Sequence, residues 1–242
     1  MSRFYGRAAG AFGSRRLGSV YGGGGPLTDN IGTPVYLGNF SSITSANTVA
    51  MTLAQPVPAG ALIVVTAEVD SATRTITGVI DSGSNTYAKA VDENHATAGK
   101  HLYQWYAMNA TAMAAGQSIT AQLSTIATSR RAIEAWCVTG VLTAGALDKI
   151  AVGQGTGTAL AAASTGALSQ AGEISFSSFL TADTGTALTS TEGGSGAAFL
   201  TGAGRMATFW KQRDTTDAVV ATAATGNAAW LAATATYKGV LS

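Results

Sequence analysis

The stretch "TITGVIDSGSNTYAKA", Thr75 to Ala90, joins a β-branched run to a five-residue knot of Asp, Ser, Gly and Asn, and then to a second run led by Thr and Tyr. Ile, Val, Thr and Tyr suit a pleated, half-buried surface. Asp and Asn side chains hydrogen-bond nearby backbone, and Gly or Asn tolerates positive φ. The stretch therefore reads as two adjacent strands, Thr75 to Ile80 and Thr86 to Val91, joined by a turn with Gly83 or Asn85 in the left-handed region. Calcium takes about six or more oxygen ligands and the knot offers one carboxylate, Asp81, so its polar groups are caps and not a cage.

The same pattern continues on both sides. Upstream lie "TVAMTL" (Thr48 to Leu53) and "ALIVVTAEV" (Ala61 to Val69). Downstream come "HLYQWYAMN", "QSITAQL", "RAIEAWCVTGV", "LDKIAVG", "GEISFSSFL", "MATFWKQ", "DAVVATA" and "AAWLAATATYKG". Short runs spaced by Gly, Asn, Asp and Pro signal an all-β sandwich or barrel. "NATAMAAG" (Asn109 to Gly116) has room for one helical turn. Several runs are two-sided. Tyr103, Trp105 and Ala107 share one face of their run and Gln104, Tyr106 and Met108 the other, while Trp230, Ala232, Thr234 and Thr236 oppose Leu231, Ala233, Ala235 and Tyr237. Neither face is a solvated one, so a second sheet or another subunit is expected to cover it.

Charged residues are 11% of the chain, against roughly 25% in ordinary globular proteins. A surface of Ala, Thr, Ser and Gly leans towards a protein that buries its outside against copies of itself. The net charge of +1 is unevenly distributed. Residues 1–28 carry four arginines and no acid, leaving 10 basic and 13 acidic groups elsewhere, a formal −3. Within that head, Arg3, Phe4, Tyr5, Arg7, Phe12, Arg15, Arg16 and Tyr21 stand as isolated anchors among glycines that oppose a helix. It reads as an arm that orders on docking. Gly22 to Gly25 and Pro26 form a joint, giving an arm over 1–28 and a sandwich domain over 29–242. Lying along a neighbouring subunit is the preferred use of the arm, ahead of phosphate contact through its arginines and of an organelle presequence, whose amphipathic helix the glycines spoil. The N-terminus lacks the apolar core of a secretory signal, and the longest apolar run, Ala61 to Val65, is far short of the ~20 residues that span a bilayer.

Catalytic candidates are thin. The single cysteine, Cys137, rules out an internal disulfide and reads as a buried, inert thiol. His95 and His101 lie near Asp92 and Glu93, but their spacing of six suits no one-face metal site, so both are read as solvated loop histidines. No serine stands in Gly-x-Ser-x-Gly, and "GQGTG" (Gly153 to Gly157) lacks the strand-loop-helix context of a nucleotide loop. Glu134 sits mid-run in "AIEAWCV", where burial demands a partner such as Arg130, Arg131 or Lys149; it reads as a structural ion pair. Trp105, Trp136, Trp210 and Trp230 all fall in strand-like runs, where core burial is expected. Asn39 and Asn109 head glycosylation sequons, with nothing to direct the chain to a secretory pathway. No cofactor and no metal is expected.

The order "ALIVVTAEV", "TGVIDSGSNTYAKAV", "LYQWYAMNATAMAAGQSITAQLS", "AIEAWCVTGVLTAGALDK" and a late "AAWLAATATYKG" resembles a jelly-roll-like β-sandwich module recurrent in tailed-bacteriophage virion proteins and some bacterial surface proteins. The likeness is fuller over Ala61 to Lys149 than over Gly172 to Gly239. It departs in two places: the turn glycine, Gly83, stands one position early, and Glu134 and Gly140 are two residues further apart than in the usual form. The resemblance implies an all-β, jelly-roll-like antiparallel sandwich and carries over no catalytic residue. It implies a non-enzymatic virion structural protein, made in the host cytoplasm and resident in the particle. The first choice is a capsid decoration, cement or head-spike component anchored by its arm, and the alternative a tail fibre or baseplate component. A rival of another class is a module that binds host-surface glycans through exposed aromatics such as Tyr87 or Tyr103. Expected partners are copies of itself, by default a trimer, with a major capsid protein or tail adaptor and a host glycan; neither membrane nor nucleic acid is expected.

Overall fold

A computed structural model describes residues 30–192, 194–195, 199–200 and 205–241. The described residues form fifteen strands and one single-turn 3₁₀ helix, Ala96–Ala98. The first eight strands are β1 (Val35–Ser42), β2 (Ala46–Thr52), β3 (Leu62–Val69), β4 (Ile76–Asp81), β5 (Ala88–His95), β6 (Lys100–Ala107), β7 (Ser118–Ala127) and β8 (Arg131–Val138). The remainder are β9 (Leu147–Ala161), β10 (Glu173–Thr181), β11 (Thr189–Ser190), β12 (Gly194–Ser195), β13 (Phe199–Leu200), β14 (Arg205–Arg213) and β15 (Thr222–Lys238). All pair antiparallel, in three sheets: β2-β7-β4, then β1-β8-β3-β6-β5, then a third built on β11-β15-β10-β14-β12 with β9 beside β15 and β13 beside β14. The class is the expected all-β antiparallel sandwich, with a third layer added.

The five-stranded sheet is the middle layer, which explains the two-sided runs. All eight residues of "LIVVTAEV" and all eight of "RAIEAWCV" are buried. Side chains alternate across a strand, so Ile63, Val65, Tyr103, Ile133 and Ala135 meet Met51, Ile76 and Ile119 of the first sheet. From the opposite face Leu62, Val64, Trp136 and Tyr106 meet Ile174, Phe176 and Tyr237 of the third. Nearer the strands' other end, Leu102 and Ala132 meet Leu180, Met206 and Leu231. The cover that the sequence required is thus supplied by the same chain, and the two-sided runs of β6 and β15 are no argument for a partner subunit.

The outer face of the third sheet is closed by a ribbon. β9 and β15 pair from Leu147 and Tyr237 to Ala161 and Thr222, with a bulge between Ala224 and Ala228. Bulges bend the strand that carries them. The ribbon returns over its own base, so that the Ala163 N–H donates to the Val152 carbonyl at 3.0 Å. Leu160, Ala162, Leu188 and Ala221 thereby cover Phe179, Ala207, Phe209 and Ala232. A Cβ at Gly153 would run into the Ala161 carbonyl oxygen, and one at Gly155 would lie 2.8 Å from the Trp230 ring. Gly153 and Gly155 of "GQGTG" are therefore strand residues that permit close approach. "DAVVATA" is mostly connection, since β15 begins only at Thr222.

The opening stretch also differs from its expected form. β4 pairs with β7 in the first sheet, whereas β5 pairs with β6 in the middle one. The Asp-Ser-Gly-Ser-Asn knot therefore switches sheets and closes no hairpin. The residue with positive φ is Ser84, at 56°, and neither Gly83 nor Asn85. β5 starts at Ala88 because Asn85 and Tyr87 are engaged by Asp81.

Candidate functional site

Asp81 ends β4 and organises the knot. Its Oδ1 accepts from the Gly83 and Asn85 N–H groups at 2.9 and 3.0 Å, and its Oδ2 from Asn85 Nδ2 and the Tyr87 hydroxyl, both at 2.8 Å. Burial pushes the Tyr87 hydroxyl far above its ordinary pKa, with the Asp81 charge adding to the effect. Asn85 Oδ1 in turn accepts the Thr111 N–H at 2.7 Å, tying the turn to the segment after β6. Between these segments lies an open groove of about 450 Å³, lined by Ser84, Asn85, Tyr106, Met108, Asn109 and Thr143 among others. Tyr106 forms its wall and is backed by buried Tyr237, ring centroids 5.5 Å apart. Met108 Sδ accepts the Ala146 N–H, fixing the loop that carries Thr143.

The ionisable groups gather elsewhere. His101 is no loop histidine: it lies within β6, is 5% exposed, and places Nε2 at 2.5 Å from Asp92 Oδ1 and Nδ1 at 2.9 Å from the Tyr103 hydroxyl. The run "HLYQWYAMN" already began at His101; β6 starts one residue earlier, at Lys100, and alternation turns His101 to the face of Tyr103. Lys89 bonds Asp92 and stands 5.7 Å from the Tyr103 and Trp105 ring centroids. Burial alone would raise the Asp92 pKa, but hydrogen bonds from Lys89 and His101 hold it below the ordinary value. His95 closes β5 and accepts the Ala98 N–H at the start of the 3₁₀ turn. Among the described residues no group of three or more His, Cys, Asp or Glu side chains is placed to hold a metal ion.

Glu134 is fully buried, but none of the three expected cations reaches it. Arg130 pairs with Glu68 at 2.6 Å and Arg131 donates to the Thr44, Ala127 and Ser129 carbonyls, because both arginines stand at the entry of β8 and Glu134 at its middle. Its Oε1 accepts from Thr208, and its Oε2 has no partner among the described residues. Thr66, Gln104 and Ser178 complete this polar layer between the middle and third sheets. Burial pushes the carboxyl up to about 8, so at neutral pH it is chiefly uncharged. Glu173 is likewise raised, to about 7, by burial. Cys137 is buried as expected, its thiol pushed up to about 11.

Of the tryptophans, Trp105 and Trp136 are core and Trp210 and Trp230 half-buried against it. Tyr103 is fully buried and the Tyr87 hydroxyl is bonded to Asp81, so neither offers the exposed ring expected of a glycan platform. The arm residues Arg3, Phe4, Tyr5, Arg7, Phe12, Arg15, Arg16 and Tyr21 lie outside the described residues. The groove was missed from the sequence because its lining comes from three segments between positions 84 and 143. Comparison with protein-family models, curated proteins and solved structures finds no match.

Proposed function

We propose that this chain is a non-enzymatic structural subunit of a bacteriophage particle, a capsid decoration, cement or head-spike component held by its N-terminal arm. The observation that carries the structural reading is where the charges sit. Arg130, Glu68, Asp70 and Lys100 pair with one another, Arg213 pairs with Glu192, Glu134 is buried between the middle and third sheets, and Glu173 is buried on β10 of the third. What remains outside is poor in charge, since charged residues are only 11% of the chain, and depletion of charge marks the buried part of a subunit interface. The phage assignment rests on the sequence resemblance and on the arginine- and aromatic-bearing arm.

The start of the described chain fits a tether. The Asn30 N–H donates to the Val240 carbonyl, the Val240 N–H to the Gly140 carbonyl, and the Gly32 N–H to the Thr139 carbonyl. Gly140 has φ 79°, and the Asn30 backbone occupies the place of its missing Cβ. Asn30 and Gly32, which follow the arm in sequence, are thus pinned to the body. Deleting residues 1–26 is expected to leave the thermal melt unchanged and to abolish co-sedimentation with phage particles that lack this chain. Unfolding on deletion, or unchanged co-sedimentation, would reject the arm as the anchor.

A further inference from the structure

The groove beside the Asp81 turn has the chemistry of a saccharide site. Its lining holds no charged side chain: Ser84, Thr86, Thr111 and Thr143 bring hydroxyls, Asn85 and Asn109 amides, and Tyr106 and Met108 an aromatic ring and a thioether. Phosphates and carboxylates call for cations or a helix N-terminus, and metal ions for carboxylates; this lining provides neither. Neutral donors and acceptors around one ring face match a polyol that stacks its C–H face while its hydroxyls are bonded. The volume, about 450 Å³, lies within the range of small-molecule sites.

Two further features set this groove apart. Ser84 (φ 56°) and Asn109 (φ 52°) are the non-glycine residues with left-handed φ among the described residues, and both line it. Such conformations persist where the surroundings over-determine them, and they cluster at binding sites. Here the surroundings are identifiable. Asp81 and Asn85 lock the turn from behind, Tyr237 backs Tyr106, and Ala146 holds Met108. The exposed side chains of Ser84, Thr86, Thr111 and Thr143 take no part in those bonds and remain open to a ligand. A wall fixed in advance lowers the ordering cost of binding.

We infer that this groove binds one pyranose unit of a neutral polysaccharide, with Tyr106 as the stacking face and Ser84, Asn109 and Thr143 as hydrogen-bonding groups. The site does not depend on where the chain resides. The test is titration calorimetry of the full chain against dextran, mannan, galactan and a rhamnose-containing neutral polysaccharide, with heparin and polygalacturonate as charged controls. Binding to at least one neutral polymer is expected, weakened at least ~10-fold in S84G/N109G, which removes both polar side chains yet suits the left-handed backbone. Thr191→Ala, remote from the groove, is expected to bind as wild type. A thermal melt of S84G/N109G confirms that the body is intact, and the milder Thr143→Val is the substitute if it is not. Failure to bind any neutral polymer, binding only to the charged ones, or full affinity in the groove variants would overturn the inference.

Discussion

Replacing Glu134 by Gln tests whether a neutral carboxyl holds the third sheet against the middle one. The ordinary carboxyl value here is 4.5 and the folded value about 8. Folding therefore takes up a proton between these limits, and the stability of the wild type falls as pH rises through the window. At about 1.4 kcal/mol per pH unit, the fall amounts to roughly 5 kcal/mol across it, an upper bound for a site that relaxes or admits water. Tyr36, the ionisable neighbour, is pushed up to about 12 by burial, with the Glu134 charge adding to it, and stays neutral throughout. Glu173 adds a smaller fall up to about pH 7 that both proteins share. Asp92 and Asp148 have lowered values and act only at more acid pH. Glu134→Gln keeps the shape and cannot ionise, though its amide leaves a donor unpaired, costing about 1–3 kcal/mol at every pH. Urea unfolding at pH 5, 6, 7 and 8 is expected to show wild type the more stable at pH 5 and the variant at pH 8. Parallel pH profiles for the two proteins would refute the reasoning.

Asp81→Ala removes the acceptor of four hydrogen bonds, and a loss of about 1–3 kcal/mol in urea unfolding is expected. Gly153→Ala drives a methyl into the Ala161 carbonyl, and is expected to lose about 1–3 kcal/mol, with faster hydrogen exchange in β9 and β15. Phe176→Ala opens the junction of the middle and third sheets, with about 3–5 kcal/mol lost in the same assay.

The strands were legible where the runs were long and β-branched: "ALIVVTAEV" is β3 with one residue more at its start, and "RAIEAWCVTGV" begins with β8 and overruns it past Val138. Their lack of a polar face announced a cover, but a period of two cannot say whether the cover comes from the same chain. The bend of β9 and β15 was hidden in "GQGTGTALA", since Gly and Thr suit a loop as well as a strand and only the approach of Ala161 to Gly153 explains the glycine. Glu134 stood out as an anomaly, yet its partner was misread because Arg130 and Arg131 are close in sequence and distant along the strand. The Asp81 knot was legible as a capped turn; its role as a switch between sheets was not, because pairing partners such as β7 lie about forty residues away.

The proposed role is that of a structural part of a phage particle. Immunogold electron microscopy of phage particles purified from cells that produce this chain, with antibodies raised against the folded body, tests that proposal most directly. Regularly spaced label on the head surface is the predicted result. Unlabelled particles, with the chain found only in the soluble fraction of the lysate, would contradict it.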